Sequence, residues 1–316
     1  MARQTPHPTP LPGLHNAPPA GFCLRMPDFL TLKEAALLLR LSERALYDLA
    51  RQRRLPAVFL AGKWVFPRAL LLRWMAREAG PQATRLDPPP ILAGSHDPLL
   101  DWAVRQSGCG LAIAGGGSLS GLEALAEGRA LAAAVHLPDP DGGAFNEASV
   151  RDLLPDAQAV GLVWAWREQG LILPAGNPRG LTGIADLTRP EIRVIGRQSR
   201  AGSHLLLMHL LAEAGIRLET IRFVAPPALA EDEVAAAVAE GRAEAGFGIR
   251  AEAMARGLSF LPLVRERFDL VARAQDWFSP QLQALLTFAR SGGFAGRAER
   301  LTGYDIGTTG SVAFRA

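Results

Sequence analysis

The chain has 316 residues, 48% of them hydrophobic and 21% charged, the proportions of a globular protein with room for two or three units of about 150 residues. No run of about 18 apolar residues occurs; the richest stretch, Val58 to Met75, is broken by Lys63, Pro67, Arg68 and Arg73, which excludes a membrane-spanning helix. The overall charge of +3 hides a split: residues 1–90 hold 13 Lys+Arg against 6 Asp+Glu, a net +7, and the remainder is net −4, so a polyanionic partner is expected for the front of the chain alone.

The opening "MARQTPHPTPLPGLHNAPPAG" is proline-rich and lacks the apolar region of a secretory signal. Residues 1–27 read as a disordered tail on a cytoplasmic protein. Cys23 and Cys109 are too few for a disulfide framework, have no metal-ligand spacing and read as reduced thiols.

From Phe29 the pattern turns helical. Thr31 can cap a short helix carrying Ala35, Ala36, Leu38 and Leu39, with Glu34 completing a capping box. Ser42 can cap a second helix whose inward face is Ala45, Leu46 and Leu49, leaving Glu43, Arg44, Tyr47, Asp48 and Arg51 outside. Two short helices and a tight turn read as helix-turn-helix. "LPAVFLAGKWVFP" then gives two short strands hinged at Ala61, Gly62 and Lys63, a small wing, and Pro67 starts a closing helix through Glu78. The order, and the "RRLPAV…GKWVFPRALLLRWM" tail in particular, resembles the excisionase-like branch of the winged-helix family related to the MerR regulators. The resemblance spans about 50 residues. It implies that the second helix enters the major groove of double-stranded DNA, with Arg44, Tyr47 and Arg51 toward bases or phosphates and Arg53, Arg54 and Lys63 on phosphates. The head is expected over residues 28–80.

"GPQATRLDPPP" places a stiff, proline-rich linker at residues 81–90. Beyond it strands and helices alternate: "PILAGS", "DPLLDWAVRQSG", "GLAIAGGGS", "SGLEALAEG", "RALAAAVHL", an α/β pattern with largely parallel sheets. Ligands of such sheets gather where strands end and helices begin. Ser95 and Ser118 each end an apolar strand beside glycine, and on local grounds each is either a helix cap or a ligand contact. Ser120 pairs with Glu123 as a capping box for its own helix. "EIRVIGRQSRAGSHLLLMHLLAEAG" repeats the strand, polar turn and helix, while "GLILPAGNPRGLTGIADL" and "LSFLPLVRERFDLVA" read as two crossings between lobes.

Two α/β lobes joined by two crossings resemble the periplasmic binding protein fold. More narrowly, "GSHDPLLD", "GGGSLSGLEAL", "REQGLILPAGNPRG", "RQSRAGSHLLL", "EAGFGIRAEA" and the closing "GYD" resemble, over residues 91–310, the PBP-like domain of molybdate-related proteins, which accompanies molybdopterin biosynthesis proteins or a DNA-binding head. The resemblance implies a PBP-like domain over 91–316 with its second lobe at about 179–262, holding a small anion in the cleft, molybdate or tungstate first. A tetrahedral oxyanion suits hydroxyls and backbone N–H groups at helix starts. Ser95 and Ser118 would serve from the first lobe, Ser203 from the second, with Arg197 and Gln198 at the family's "RQ" reaching the ligand or bracing the turn. His136, at a strand end, is a further cleft candidate. Where the family commonly reads Gly-Ser-Gly-Thr-Arg, this chain has Arg200, Ala201, Gly202, Ser203 and His204, so one hydroxyl and one guanidinium are replaced.

No HExxH motif, Walker A loop or G-x-S-x-G elbow occurs, and "GFGIRA" from Gly246 matches a dinucleotide fingerprint in letters alone. Asp139 and Asp141 lie in a turn, an ordinary place for them. No enzyme, metal or resident cofactor is expected. The reading is a one-component regulator, a homodimer on a paired operator. The alternatives are a molybdenum-cofactor biosynthesis protein and a regulator that senses a small organic ligand.

Overall fold

The computed structural model of the chain describes residues 28–78, 87–139, 144–155 and 157–316. The expected tail at 1–27 with Cys23, most of the expected linker, and Asp141 lie outside the described residues. The chain divides into two compact units, at 1–86 and 87–316.

The first unit runs β1 (Phe29–Thr31), α1 (Leu32–Leu39), α2 (Glu43–Arg51), β2 (Val58–Leu60), β3 (Lys63–Pro67) and α3 (Arg68–Glu78), with an antiparallel sheet in the order β1-β3-β2. Thr31 Oγ1 accepts from the Glu34 amide while the Glu34 carboxylate accepts from the Thr31 amide, so the expected capping box forms. Ser42 Oγ caps α2 through the Ala45 amide. The wing closes in a two-residue turn with Leu60 opposite Lys63; Ala61 and Gly62 both have positive φ, 47° and 79°, as a primed hairpin turn requires. Leu30, Ala35, Leu46, Ala50, Phe66 and Leu71 form the core. The sequence pattern did not mark β1, a three-residue strand whose pairing with β3 makes the wing a three-stranded sheet.

The second unit begins with β4 (Ile91–Gly94), α4 (Pro98–Ser107), β5 (Ala112–Gly115), α5 (Ser118–Ala126), β6 (Ala132–Val135), α6 (Glu147–Leu153) and the long β7 (Ala159–Leu173). It continues with β8 (Arg193–Arg197), α7 (Gly202–Glu213), β9 (Arg222–Ala228), α8 (Glu231–Ala239), β10 (Ala245–Ile249) and α9 (Arg250–Ala255). It closes with β11 (Ser259–Arg273), α10 (Pro280–Phe288), α11 (Gly292–Leu301), β12 (Tyr304–Asp305) and β13 (Val312–Arg315). One sheet runs β5-β4-β6-β11-β7-β10-β8-β9, with β12 and β13 on β7. The outer groups β5-β4-β6 and β10-β8-β9 are parallel within themselves. Between them β7 and β11 pair antiparallel along almost their full lengths, so they are the two crossings, and each outer group with its helices is a lobe. Helices cover both faces of each lobe: α7 packs its Leu206, Leu207 and Leu211 against Val194 and Phe247, while α8 packs Val234 and Val238 against Ile172 and Ile195 on the opposite face. The starts of α7 and α8 therefore meet over the carboxyl end of β8, at the edge of the second lobe that faces the first.

α5 starts at Ser118 with Gly117 as its N-cap, so Ser120 lies inside the first turn and caps nothing. Its Oγ instead accepts from Arg200 Nε at 3.1 Å, and Glu123 pairs with the same guanidinium; both residues of the supposed capping box serve a contact between lobes.

Candidate functional site: a cationic helix face and an interlobe cleft

In the first unit, amphipathic spacing turns Leu46 and Ala50 inward and leaves Arg44, Tyr47 and Arg51 exposed along α2. Arg53 and Arg54 in the turn after α2, and Lys63 at the wing tip, are exposed as well. No acidic side chain among the described residues forms an ion pair with any of these cations. The six residues read as DNA contacts thus occupy one helix, the turn that follows it and the hairpin, with their charge free.

In the second unit the first lobe brings three candidates together. Ser95, at the end of β4, and Ser118, opening α5, bond hydroxyl to hydroxyl at 2.8 Å. Ser118 Oγ also accepts the His136 amide at 3.1 Å. All three are buried. The His136 ring turns the other way, its Nδ1 2.8 Å from Glu266 Oε2.

In the second lobe Ser203 Oγ donates to Glu231 Oε1 at 2.9 Å, and Arg197 Nη1 is 2.6 Å from the same oxygen. Gln198 stands slightly apart, its Nε2 donating to the Leu229 carbonyl, which also receives Arg197 Nη2. Arg197 and Gln198 therefore brace the turn in this structure, and the Arg197 charge is matched by a carboxylate.

Under the cleft, in the middle of the crossings, lies a buried ionic cluster absent from the sequence reading. Arg167 on β7 faces Glu266 on β11, and its guanidinium binds Glu266 and, at 2.9 Å, Asp97 Oδ2. Gln169 Nε2 donates to Glu266 and Tyr304 Oη to Asp97. Burial would raise the Glu266 pKa, but Arg167, with His136 and Gln169 hydrogen bonding, outweighs it and holds the carboxyl at about 2. Burial pulls the Arg167 pKa down, yet Glu266 and Asp97 carry it above its ordinary value. Nearby Asp269 shows the opposite balance: burial raises it to about 6 although Arg267 and Asn146 bond to it. His96, half exposed at the cleft mouth, is raised by its hydrogen bond to Asp101.

The lobes touch. Arg200 of the second reaches Ser120 and Glu123 of the first. Gly202, opening α7, lies so near His136 that a Cβ there would stand 2.5 Å from the His136 carbonyl oxygen, and one on Gly117 would stand 2.8 Å from the Arg200 carbonyl oxygen. Two glycines without side chains therefore let the facing backbones meet.

Comparison with known proteins gives this architecture its class. Residues 101–290 match the family model of the PBP superfamily domain, and residues 29–79 match a helix-turn-helix domain. The chain belongs to the PBP superfamily, with a helix-turn-helix domain in front, and that combination is a ligand-responsive DNA-binding regulator. The uncharacterized protein YvgK of Bacillus subtilis is 26% identical over 301 residues, covering 89% of this chain and 96% of its own, so the similarity runs through both units. An uncharacterized protein in the 5′ region of a ferredoxin 2Fe-2S gene of Clostridium pasteurianum is 32% identical over 80 residues, 25% of this chain and 71% of its own. Among solved structures, the sulfate-binding protein SubI of Mycobacterium tuberculosis superimposes with a TM-score of 0.50 at 18% identity, over 68% of this chain and 85% of its own; that likeness concerns the fold. In the described residues no helix is long and apolar enough to cross a membrane.

Proposed function

We propose that the protein is a one-component transcription regulator that reads operator DNA with α2 and its wing and responds to a small oxyanion held between the lobes of its PBP domain. Molybdate and tungstate are the anions that the sequence resemblance puts first, and the SubI likeness is of a fold that in that protein serves an oxyanion. The observation that carries the reading is the convergence at the interlobe edge of three buried hydroxyls, Ser95, Ser118 and Ser203, two of them in the first turns of α5 and α7. Helix starts of this kind offer free N–H groups and partial positive charge to an anion.

The reading is of a binding protein working in the cytoplasm as a dimer, not of an enzyme. Glu266 and His136 form an acid–imidazole pair, but among the described residues no hydroxyl or thiol bonds the ring: Ser118 meets the His136 backbone instead. Closure changes DNA affinity only if the anion binds one lobe arrangement better than another.

The test is calorimetric titration of the full chain with molybdate, tungstate and sulfate at matched ionic strength, together with operator selection from random DNA. Saturable heat with one of these anions and enrichment of a paired site are expected. Enrichment with no heat from any of them would leave a DNA-binding protein whose ligand is none of these three anions.

A further inference from the structure

Glu231 is a residue that a bare oxyanion site does not need. It opens α8 at the cleft edge of the second lobe, is 3% exposed, and shares its Oε1 between the Ser203 hydroxyl and Arg197. Its other oxygen, Oε2, is buried and has no hydrogen-bond donor among the described residues. On one side that oxygen is flanked by Gly248, where a Cβ would stand 3.1 Å away, so no side chain at that position covers it. Buried polar atoms are almost always paired, and this one belongs to the carboxylate that holds Ser203 at the start of α7.

We infer that Glu231 Oε2 accepts a hydrogen bond from the ligand, and that the cleft therefore selects an oxyanion that keeps a proton on one oxygen over one that is fully deprotonated. The inference rests on the cleft reading above and reorders the anions within it. An ion-paired carboxylate only accepts. Against a fully deprotonated tetrahedral anion, Oε2 would face a second acceptor of like charge with no proton between them, in a desolvated place where such repulsion is felt strongly. Against a protonated oxygen the same atom gains a short, charge-assisted bond.

The charge balance points the same way. Arg197 is matched by Glu231, and Arg167 is spent on Asp97 and Glu266, so neither of these two guanidinium groups is left free to offset a dianion. What remains for the ligand is one hydroxyl proton of the Ser95–Ser118 pair, helix-start N–H groups and one acceptor. A site built to pair a ligand O–H discriminates strongly against an analogue that lacks it.

The experiment titrates the full chain near pH 7 with inorganic phosphate, which carries a proton there, and with sulfate and molybdate, which do not. Phosphate is expected to bind at least about 100-fold more tightly than either. Glu231→Gln, which offers a donor where the wild type offers an acceptor, is expected to shrink that ratio about tenfold or more, and Glu231→Asp to keep its direction. If Glu231→Gln does not fold, the wild-type ratio alone decides. Sulfate or molybdate binding as tightly as phosphate, or a ratio unchanged in a folded Glu231→Gln, overturns the role of Glu231 and leaves the anion cleft standing. No heat from any of the three anions, in wild type or variant, overturns the cleft reading and this inference with it.

Discussion

Gly202→Ala is the substitution that tests closure most sharply. The added Cβ would stand 2.5 Å from the His136 carbonyl oxygen and 2.8 Å from its ring, where ordinary contact begins near 3.4 Å. The oxygen is backbone, and the ring is tied through Nδ1 to Glu266, so neither swings aside and about 0.9 Å must come from separating the lobes. Overpacking of this size costs about 1–3 kcal/mol, and here it falls on the closed arrangement alone. If the anion binds that arrangement, apparent affinity drops about 5- to 150-fold. Calorimetry reads the affinity, small-angle scattering reads the opening, and thermal unfolding checks that the lobe cores are intact. Gly292→Ala is the control, since a Cβ there meets nothing within 4 Å. A Gly202→Ala protein with wild-type affinity and scattering would refute closure across this contact.

Other consequences are as direct. Arg44→Ala and Arg51→Ala each remove an exposed, unpaired cation from α2 and are expected to weaken a selected operator by about 1–3 kcal/mol if the lost contact is to a base, leaving anion heats unchanged. Arg54→Ala or Lys63→Ala, on phosphates, is expected to weaken all sequences alike and flatten the slope of log affinity against log salt by about one; an unaltered slope would remove them from the interface. Asp269 has a folded pKa of about 6 against an ordinary 3.8, so the folded state holds the proton more tightly and this group's contribution declines as pH rises between those values. Relative to Asp269→Asn, wild type should lose about 2 kcal/mol between about pH 4.5 and 7 in denaturant unfolding; a difference flat in pH would refute the assignment. Glu266 has the opposite sign: its folded pKa of about 2 against 4.5 contributes stability that is complete above about pH 4.5 and lost as pH falls toward 2, and acid unfolding of Glu266→Gln should lack that component.

The head was legible because its signals are local. Thr31 with Glu34, Ser42, and the Ala61-Gly62 turn each state their role within a few residues, and the 3.6-residue spacing of Leu46 and Ala50 fixes which face of α2 is outward. The two lobes were legible from alternation and from the second crossing; of the first, β7, only Gly170 to Leu173 fell within the segment read as a crossing, and its earlier part from Ala159 was not marked. The cleft was only half legible. Ser95, Ser118 and Ser203 announced themselves beside glycines at helix starts, but their partners come from far along the chain: Glu231 follows Ser203 by 28 positions and Glu266 follows His136 by 130. Glu231 sits in an acidic first turn, "EDE", that any helix could carry to complement its dipole, so nothing local marked it. The Arg167–Glu266 pair did leave a trace, charged residues amid the apolar runs of both crossings, where burial demands a partner. Ser120 misled because a capping box and a surface pair for Arg200 need the same two residues.

The central claim is that one chain couples an anion to DNA. The measurement that tests it most directly is fluorescence anisotropy of the full chain on its selected operator, titrated with the anion that calorimetry shows to bind, at constant ionic strength. The account predicts that operator affinity changes about 5-fold or more as the cleft fills, and that Gly202→Ala moves the response to higher anion concentration. Operator affinity constant from zero to saturating anion would contradict it.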